Sequence, residues 1–162
     1  MFTIGTLHRF PCWWMPRFAD ASASSCWANR NAFFYVLDRE TGEFLSGKPF
    51  VKQTWAEGLD DKGKPIRRPN TAPSREGTLV YPGVQGGTNW YSPSYSPLTR
   101  LFYMSVWDYA STYYTGDADY HAGNRFLGSV PAGVTNDPGR GMVKALDPLT
   151  RRTAWVSMAG CH

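Results

Sequence analysis

The sequence predicts an all-β fold in which short strands are joined by tight turns and long loops. Sixteen Gly, 12 Pro and an aromatic fraction of 15% are typical of such chains. With 42% hydrophobic and 19% charged residues, the composition is that of a globular domain and not of a disordered chain. No run of about 18 apolar residues occurs, so no membrane-spanning helix is predicted.

The first predicted strand, residues 32–37, is aromatic and β-branched. It runs into a turn over residues 38–42, where Asp38 and Thr41 can bind backbone amides and Gly42 can take a positive φ. Residues 43–45 are predicted to return as a strand. The following residues 46–82 contain few apolar side chains and much Gly and Pro, which predicts a long loop.

Further along the chain, the apolar pattern predicts four more strands, at residues 89–96, 101–107, 142–147 and 154–158. Short turns at residues 97–100 and 147–151 join the first two and the last two. Residues 108–140 are rich in Tyr, Gly and Pro and are predicted to form a second long excursion between the middle pair.

One internal repeat organises these elements. Residues 36–42 and residues 145–151 share a small or apolar residue, then Leu, Asp, two variable positions and Thr. Each copy predicts a strand, an Asp/Thr turn and a second strand. Two such copies separated by long insertions are typical of a β-propeller.

The second copy resembles the tryptophan-docking motif of the PQQ-dependent (quinoprotein) methanol/ethanol-type alcohol dehydrogenases, Ala-x-Asp-x-x-Thr-Gly-x-x-x-Trp. Its matching residues are Ala145, Asp147, Thr150 and Trp155, with Arg151 where the family has Gly. The first copy keeps Asp38, Thr41 and Gly42 but has Ser46 at the Trp position. Residues 29–39 and 86–96 resemble the same family, so the resemblance runs from about residue 28 to residue 155.

The resemblance implies a partial β-propeller, about one and a half to two blades of an eight-bladed quinoprotein propeller with long loops. Residues 28–158 would form this domain and residues 159–162 a tail. Residues 89–158 would supply one whole blade, and residues 28–46 the closing strands of the blade before it. Trp155 would tie neighbouring blades together, and Arg151 is expected to strain a turn that needs a positive φ.

Residues 1–27 do not resemble the family and alternate in neither strand nor helix register. One shifted reading frame over residues 10–27 would give strand, basic turn and strand, so a frame disruption near Trp27 is our hypothesis for this segment. Sequencing the gene tests it, since codons that cannot yield this alternative contradict it. The segment also lacks the pattern of a secretory signal.

The family oxidises primary alcohols to aldehydes by hydride transfer to PQQ, with Ca²⁺ or a lanthanide beside the quinone. By resemblance, the cofactor-binding residues are Arg30 beside the quinone oxygens, Asn89 against PQQ, and Trp90 in the wall of the site. A guanidinium can stabilise negative charge that develops on a quinol oxygen. Alternatively, Arg30 is an ordinary strand-edge residue and Asn89 a turn residue. Cytochrome c as electron acceptor and a periplasmic location also follow from the resemblance alone.

The family's metal ligands and catalytic Asp lie outside the matched region, so we predict neither catalytic nor metal-binding residues here. Three Asp in the second excursion do not match the catalytic Asp motif, and the His and Cys residues follow no metal-ligand spacing. These residues are Asp108, Asp117, Asp119, His8, His121, His162, Cys12, Cys26 and Cys161. The chain by itself is therefore predicted to be inactive and to bind no PQQ or metal.

Two other functions are alternatives to a fragment of an alcohol dehydrogenase. The chain could be a non-catalytic PQQ-repeat propeller that serves as a scaffold for protein interaction. It could also be a carbohydrate-binding module that uses Trp90, Tyr91, Tyr95, Tyr113 and Tyr114. The net charge of +4 resides largely in residues 48–68, where acidic residues are interspersed and no aromatic stacking pattern accompanies the cations, so a solvated loop is favoured over a nucleic-acid site.

Overall fold

The structure is a computed structural model that describes residues 24–116, 119–123, 129–132 and 138–158. Within those residues the regular structure is entirely β, as predicted. Its strands are β1 Ser24–Ala28, β2 Phe33–Asp38, β3 Phe44–Pro49, β4 Ala56–Leu59, β5 Pro65–Arg67, β6 Thr78–Val80, β7 Ser94–Ser96, β8 Leu101–Asp108, β9 Ser111–Thr115, β10 Ser129–Ala132, β11 Arg140–Leu146 and β12 Thr153–Met158. Cys12, Cys161, His8, His162, Asp117 and the predicted tail lie outside the described residues.

The first sheet is an antiparallel meander of β1, β2 and β3, which we call the first blade. The turn between β2 and β3 forms as predicted. Asp38 Oδ1 accepts hydrogen bonds from the Thr41 amide at 2.7 Å and the Thr41 hydroxyl at 3.0 Å, and these hold the pKa of Asp38 below its usual value. Gly42 has a φ of 76°, which glycine adopts without strain.

The second sheet, here called the second blade, has four antiparallel strands in the order β12-β11-β8-β7. Its β11–β12 turn repeats the first one, because Asp147 accepts hydrogen bonds from the Leu149 amide at 2.8 Å and the Thr150 hydroxyl at 2.8 Å. Burial raises the pKa of Asp147, but these hydrogen bonds outweigh it and the pKa is lowered. Both copies of the sequence repeat therefore adopt one local structure.

The main core lies between the two blades. Buried side chains alternate along β8, where Phe102, Met104 and Val106 face the first blade. Phe102 meets Phe34 of β2 edge-on, with 5.2 Å between ring centroids. An apolar face every second residue is the pattern of a strand packed on one side, and the two sheets bury each other's faces.

A lysine crosses this interface. Lys144 of β11 donates a hydrogen bond from Nζ to the backbone carbonyl of Phe50, at 2.6 Å. Burial lowers the pKa of Lys144 because the charged form loses solvation. The two blades are thus joined by a polar contact as well as by apolar packing.

The prediction of an unstructured loop over residues 46–82 was wrong. β3 continues to Pro49, β4 and β5 form a hairpin, and β6 pairs with β9 of the second excursion. β4, β5 and β6 have only three or four residues each, which is too short to show a clear periodicity in the sequence. β6 also depends on a distant partner, β9, for its pairing.

The strand predicted at residues 89–96 was too long, because only Ser94–Ser96 pairs with β8. The residues before it belong to a loop that is held by other contacts, described below. Conversely, β1 begins at Ser24, within a segment that had shown no strand pattern, and pairs Cys26 with Val36 of β2. Cys26 is buried in the main core at 4% exposure.

Arg151 has a φ of 58°, as predicted for a residue at a glycine position of the turn. Its guanidinium Nη1 donates a hydrogen bond to the Ser46 hydroxyl at 2.7 Å, and Ser46 lies at the Trp position of the other repeat copy. Two positions that depart from the docking motif, one in each copy, therefore contact each other between the blades.

We expect the Ser46–Arg151 contact to contribute about 1 kcal/mol to the free energy of unfolding. Ser46→Ala should cost about that much in the natural chain, because the Arg151 guanidinium loses its acceptor. The same change should cost less than about 0.5 kcal/mol when Arg151 is already Gly. Urea denaturation of the four proteins of this double-mutant cycle measures the coupling, and equal costs in both backgrounds would contradict it.

Candidate functional site

Arg30 lies in the turn that joins β1 to β2. Asn29 closes this turn through backbone hydrogen bonds, accepting from the Ala32 amide at 3.1 Å and donating to the Phe33 carbonyl at 3.0 Å. The side chain of Asn31 accepts from the Phe33 amide at 3.0 Å and donates to the Tyr35 hydroxyl at 2.8 Å. With its neighbours held in this way, the turn presents the Arg30 side chain on the surface.

A glycine-containing loop, residues 83–87, packs directly against this turn; we call it the 83–87 loop. Gly87 donates its amide to the Arg30 carbonyl at 2.9 Å. Gly86 has a φ of 80°, and a Cβ at this position would lie 2.5 Å from the Arg30 carbonyl oxygen. Only glycine permits so close an approach of two backbone segments.

The backbone amides of the 83–87 loop all have acceptors within the protein. Gly83 donates to the Tyr109 carbonyl, Val84 to the Ser111 hydroxyl, and Gln85 to the Tyr109 hydroxyl. Gly86 and Gly87 donate to carbonyls of Gly83 and Arg30. A phosphate-binding loop needs amides that point at the ligand, so this glycine-rich segment is not one.

The 83–87 loop brings Arg30 and Asn89 into one structure. Arg30 Nη2 donates to the carbonyl of Val84 at 2.5 Å. Asn89 Nδ2 donates to two oxygens of Gln85, the residue after Val84. The distance to the backbone carbonyl is 3.2 Å, and that to the side-chain Oε1 is 2.8 Å. The two predicted site residues, far apart in sequence, are thus attached to adjacent loop residues.

The other end of the Asn89 amide is unsatisfied. Its Oδ1 is buried and has no hydrogen-bond partner. The orientation of the amide is determined by the Gln85 carbonyl, which can only accept, so the nitrogen must face it. A buried acceptor without a partner is unfavourable, and a ligand N–H or O–H would satisfy it.

Two tyrosine hydroxyls lie in the field of Arg30. Burial raises the pKa of Tyr109 and Tyr113, and the positive charge of Arg30 only partly offsets this effect. Both side chains therefore stay neutral phenols near neutral pH. The exposed guanidinium of Arg30 gives this part of the surface a positive charge.

Several proteins with similar sequences are quinoprotein or quinone-dependent alcohol dehydrogenases. Quinoprotein alcohol dehydrogenase PedH of Pseudomonas putida is 37% identical over 140 residues, which cover 79% of this chain and 23% of that protein. A 1-butanol dehydrogenase (quinone) of Thauera butanivorans is 36% identical over 160 residues, covering 85% of this chain and 26% of the relative. No protein-family model matches the sequence.

Solved structures of such dehydrogenases are also similar to this chain. The quinohemoprotein alcohol dehydrogenase of Comamonas testosteroni superposes with a TM-score of 0.76 at 26% identity, over 84% of this chain and 22% of that one. A europium-containing methanol dehydrogenase gives a TM-score of 0.71 at 26% identity, over 83% and 25% of the two chains. The chain is a homologue of the quinoprotein alcohol dehydrogenases. It spans about a quarter of the length of these relatives.

The resemblance seen in the sequence is thereby confirmed, and so is the partial propeller. The four-stranded second blade and the three-stranded first blade of this quinoprotein homologue are consecutive blades of such a fold. The docking tryptophan Trp155 is 50% exposed, on β12 opposite Ala145. It belongs to the face of the second blade that points away from the first.

The other predicted positions are less organised. Trp90 is 76% exposed, directly after Asn89. Of the aromatic residues considered for carbohydrate binding, Tyr95 packs against the main core, which removes it from an exposed platform. Tyr91 stacks obliquely on Trp107, with ring centroids 6.4 Å apart. The five aromatics lie in three separate elements, which are the loop before β7, β7 itself and β9.

The described part of the chain contains neither a cluster of metal ligands nor a membrane-spanning helix. There, no three or more His, Cys, Asp or Glu side chains are grouped so that they could hold a metal ion. The same residues include no helix that is long and apolar enough to cross a bilayer. In the basic stretch, Lys52 lies 3.7 Å over the Tyr81 ring and Arg68 Nε donates to the Ala56 carbonyl at 3.1 Å.

Sequence reasoning missed the residues that hold Arg30 and Asn89 together. Val84 and Gln85 carry no chemical signature, and Tyr109 and Ser111 lie in a segment predicted to be an excursion. The only available signal was the Gly83, Gly86 and Gly87 spacing, which suggests a close backbone approach but does not say what approaches.

Proposed function

We propose that this chain forms one wall of the PQQ site of a quinoprotein alcohol dehydrogenase that oxidises primary alcohols to aldehydes. The observation that carries the proposal is the attachment of Arg30 and Asn89 to adjacent residues of the 83–87 loop. Homology alone would allow a propeller in which these side chains are dispersed. Here they are brought to one edge of the two blades.

The chemistry of these residues fits PQQ, a quinone with several carboxylates. A guanidinium has five N–H donors, and the hydrogen bond to the Val84 carbonyl leaves others for anionic oxygens. The Oδ1 of Asn89 is buried without a partner, and it would accept a hydrogen bond from a cofactor N–H or O–H if the residues that cover it moved. Trp90, exposed beside Asn89, would add an apolar surface.

PQQ, when bound, accepts the hydride of the alcohol and so performs the redox chemistry. The contribution of this chain is then electrostatic. Arg30, held at Val84, would stabilise negative charge that develops on a quinone oxygen. Asn89, held at Gln85, would orient the cofactor ring. Neither residue is placed as a general base.

The isolated chain is proposed to be inactive. The Ca²⁺ or lanthanide and the catalytic base of the full-length relatives would be supplied by parts of the propeller that the chain does not match. Cytochrome c as electron acceptor is proposed because one relative is a 1-butanol dehydrogenase (cytochrome c). A periplasmic location and a small alcohol substrate are proposed on the same family basis.

A chimera tests this function. Residues 24–158 would replace the homologous segment of the Pseudomonas putida quinoprotein alcohol dehydrogenase, which is 37% identical to this chain. We expect PQQ-dependent oxidation of primary alcohols with a dye acceptor, and no turnover by the isolated chain. Arg30→Ala should weaken PQQ binding by about 10–100-fold, the loss of a charge-assisted hydrogen bond.

The matched control is Arg39→Ala, an exposed arginine in the turn after β2 of the same blade. It should leave PQQ binding and turnover unchanged. A folded chimera that binds no PQQ, or that loses equal affinity with Arg39→Ala, would contradict the proposal. The non-catalytic scaffold would then be the better account of the chain.

A further inference from the structure

A short segment, from the end of β8 to the first residue of β9, contacts the 83–87 loop without contributing a predicted site residue. It contains Tyr109 and Ser111. Ser111 is a polar side chain at 2% exposure, and its hydroxyl accepts the Val84 amide at 3.0 Å. The Tyr109 hydroxyl accepts the amide of Gln85.

These two hydrogen bonds reach the loop at the two residues that hold the site. Val84 presents its carbonyl to Arg30, and Gln85 presents its carbonyl and side chain to Asn89. Two chains of contact result. One runs from Tyr109 through the peptide unit that joins the Val84 carbonyl to the Gln85 amide, and so to Arg30. The other runs from Ser111 through the Gly83–Val84 unit, whose carbonyl accepts the Gly86 amide, to the Gln85 carbonyl and Asn89.

Close packing reinforces both chains of contact. A Cβ at Gly83 would lie 2.6 Å from the Ser111 hydroxyl oxygen and would also strike the Tyr109 ring. Gly83 further donates its amide to the Tyr109 carbonyl at 2.9 Å. The loop therefore lies directly on this segment, with no room for a side chain between them.

Val84 and Gln85 are themselves exposed, so water could solvate their amides if the protein acceptors were lost. What these hydrogen bonds determine is the orientation of the peptide units that carry the Val84 carbonyl and, through Gly83 and Gly86, the Gln85 carbonyl. That orientation decides where Arg30 and Asn89 are held.

We propose that Tyr109 and Ser111 are positioning residues, which set Arg30 and Asn89 for an anionic quinone ligand by anchoring the 83–87 loop. The role rests on the proposed function for its purpose. The anchoring itself is a property of this chain. The two can therefore be tested separately.

The anchoring is tested on the full chain by nuclear magnetic resonance without any ligand. In Tyr109→Phe, the Gln85 amide should exchange with solvent at least about tenfold faster, and the Arg30 guanidinium signals should shift. In Ser111→Ala, the Val84 amide should exchange faster and the Asn89 side-chain amide signals should shift. Exchange of the Val106 amide in β8 should stay the same in both variants.

The control is Tyr114→Phe, which removes the hydroxyl of an exposed tyrosine on β9. It should leave the Gln85, Arg30 and Asn89 signals unchanged. If Tyr109→Phe leaves the signals of Gln85 and Arg30 where they were, or changes all core amides equally, the positioning role is overturned.

The purpose of the anchoring is tested in the chimera described above. Tyr109→Phe and Ser111→Ala should each weaken PQQ binding about 3–10-fold, whereas Tyr114→Phe should not. If the unaltered chimera binds no PQQ, the proposed function fails while the resonance data still decide the anchoring. If it binds PQQ and both variants bind equally well, the positioning role is overturned alone.

Discussion

Replacing Phe102 by Ala is expected to lower the free energy of unfolding by about 3–5 kcal/mol. Phe102 is fully buried on β8 and meets Phe34 of the first blade edge-on. Its ring is therefore the main apolar connection between the blades. Truncation removes the buried area and leaves a cavity that the two flat sheets cannot close without shifting against each other.

Such a loss would consume most of the stability of an ordinary small domain. Urea denaturation, monitored by near-UV and far-UV circular dichroism, measures this loss of stability. The control is Leu98→Ala, in the turn between β7 and β8, where the side chain is 94% exposed. That change should stay within about 0.5 kcal/mol of the natural chain. Equal effects of the two substitutions would mean that the blades do not pack as described.

The second large effect is expected for Gly86→Ala. An alanine there must adopt a φ of 80°, and its Cβ would lie 2.5 Å from the Arg30 carbonyl oxygen and 2.8 Å from the Arg30 Cβ. Backbone strain and the collision together should cost about 2–4 kcal/mol. Because the collision pushes the Arg30 turn away from the 83–87 loop, PQQ binding by the chimera should also fall by at least about tenfold.

Gly42→Ala supplies a matched control for this prediction. Gly42 has a φ of 76°, but nothing lies within 4 Å of a Cβ built there. It should cost about 1 kcal/mol, the backbone strain alone, and should leave PQQ binding unchanged. Unfolding and PQQ titration of both variants separate the strain from the collision. If Gly86→Ala cost no more than Gly42→Ala, the close approach of loop and turn would be wrong.

Several elements could be predicted because their signals are local. β8 alternates buried and partly exposed side chains, so its apolar face was legible in the sequence. The two Asp/Thr turns were predicted because an Asp side chain can reach the amides two and three residues ahead of it. Even the positive φ of Arg151 followed from its place in the repeat.

Other elements could not be predicted, because their partners are remote. β6 pairs with β9, which is remote in the sequence, and its three residues are too few to show the alternation that predicts a strand. β7 is shorter than expected because only residues 94–96 pair with β8, while Asn89 bonds back to Gln85 of the 83–87 loop. The Ser46 hydroxyl meets Arg151 only because the two blades stack side by side.

For the candidate site too, some features could be predicted from the sequence and others depend on the tertiary structure. The sequence by itself determined the all-β fold and the repeated turns, and its family resemblance predicted Arg30 and Asn89 as site residues. The tertiary structure alone decided that both attach to the 83–87 loop and that Tyr109 and Ser111 anchor it. Turns and strand faces arise from forces between near neighbours in the chain, whereas this site arises from hydrogen bonds between segments that only folding brings together.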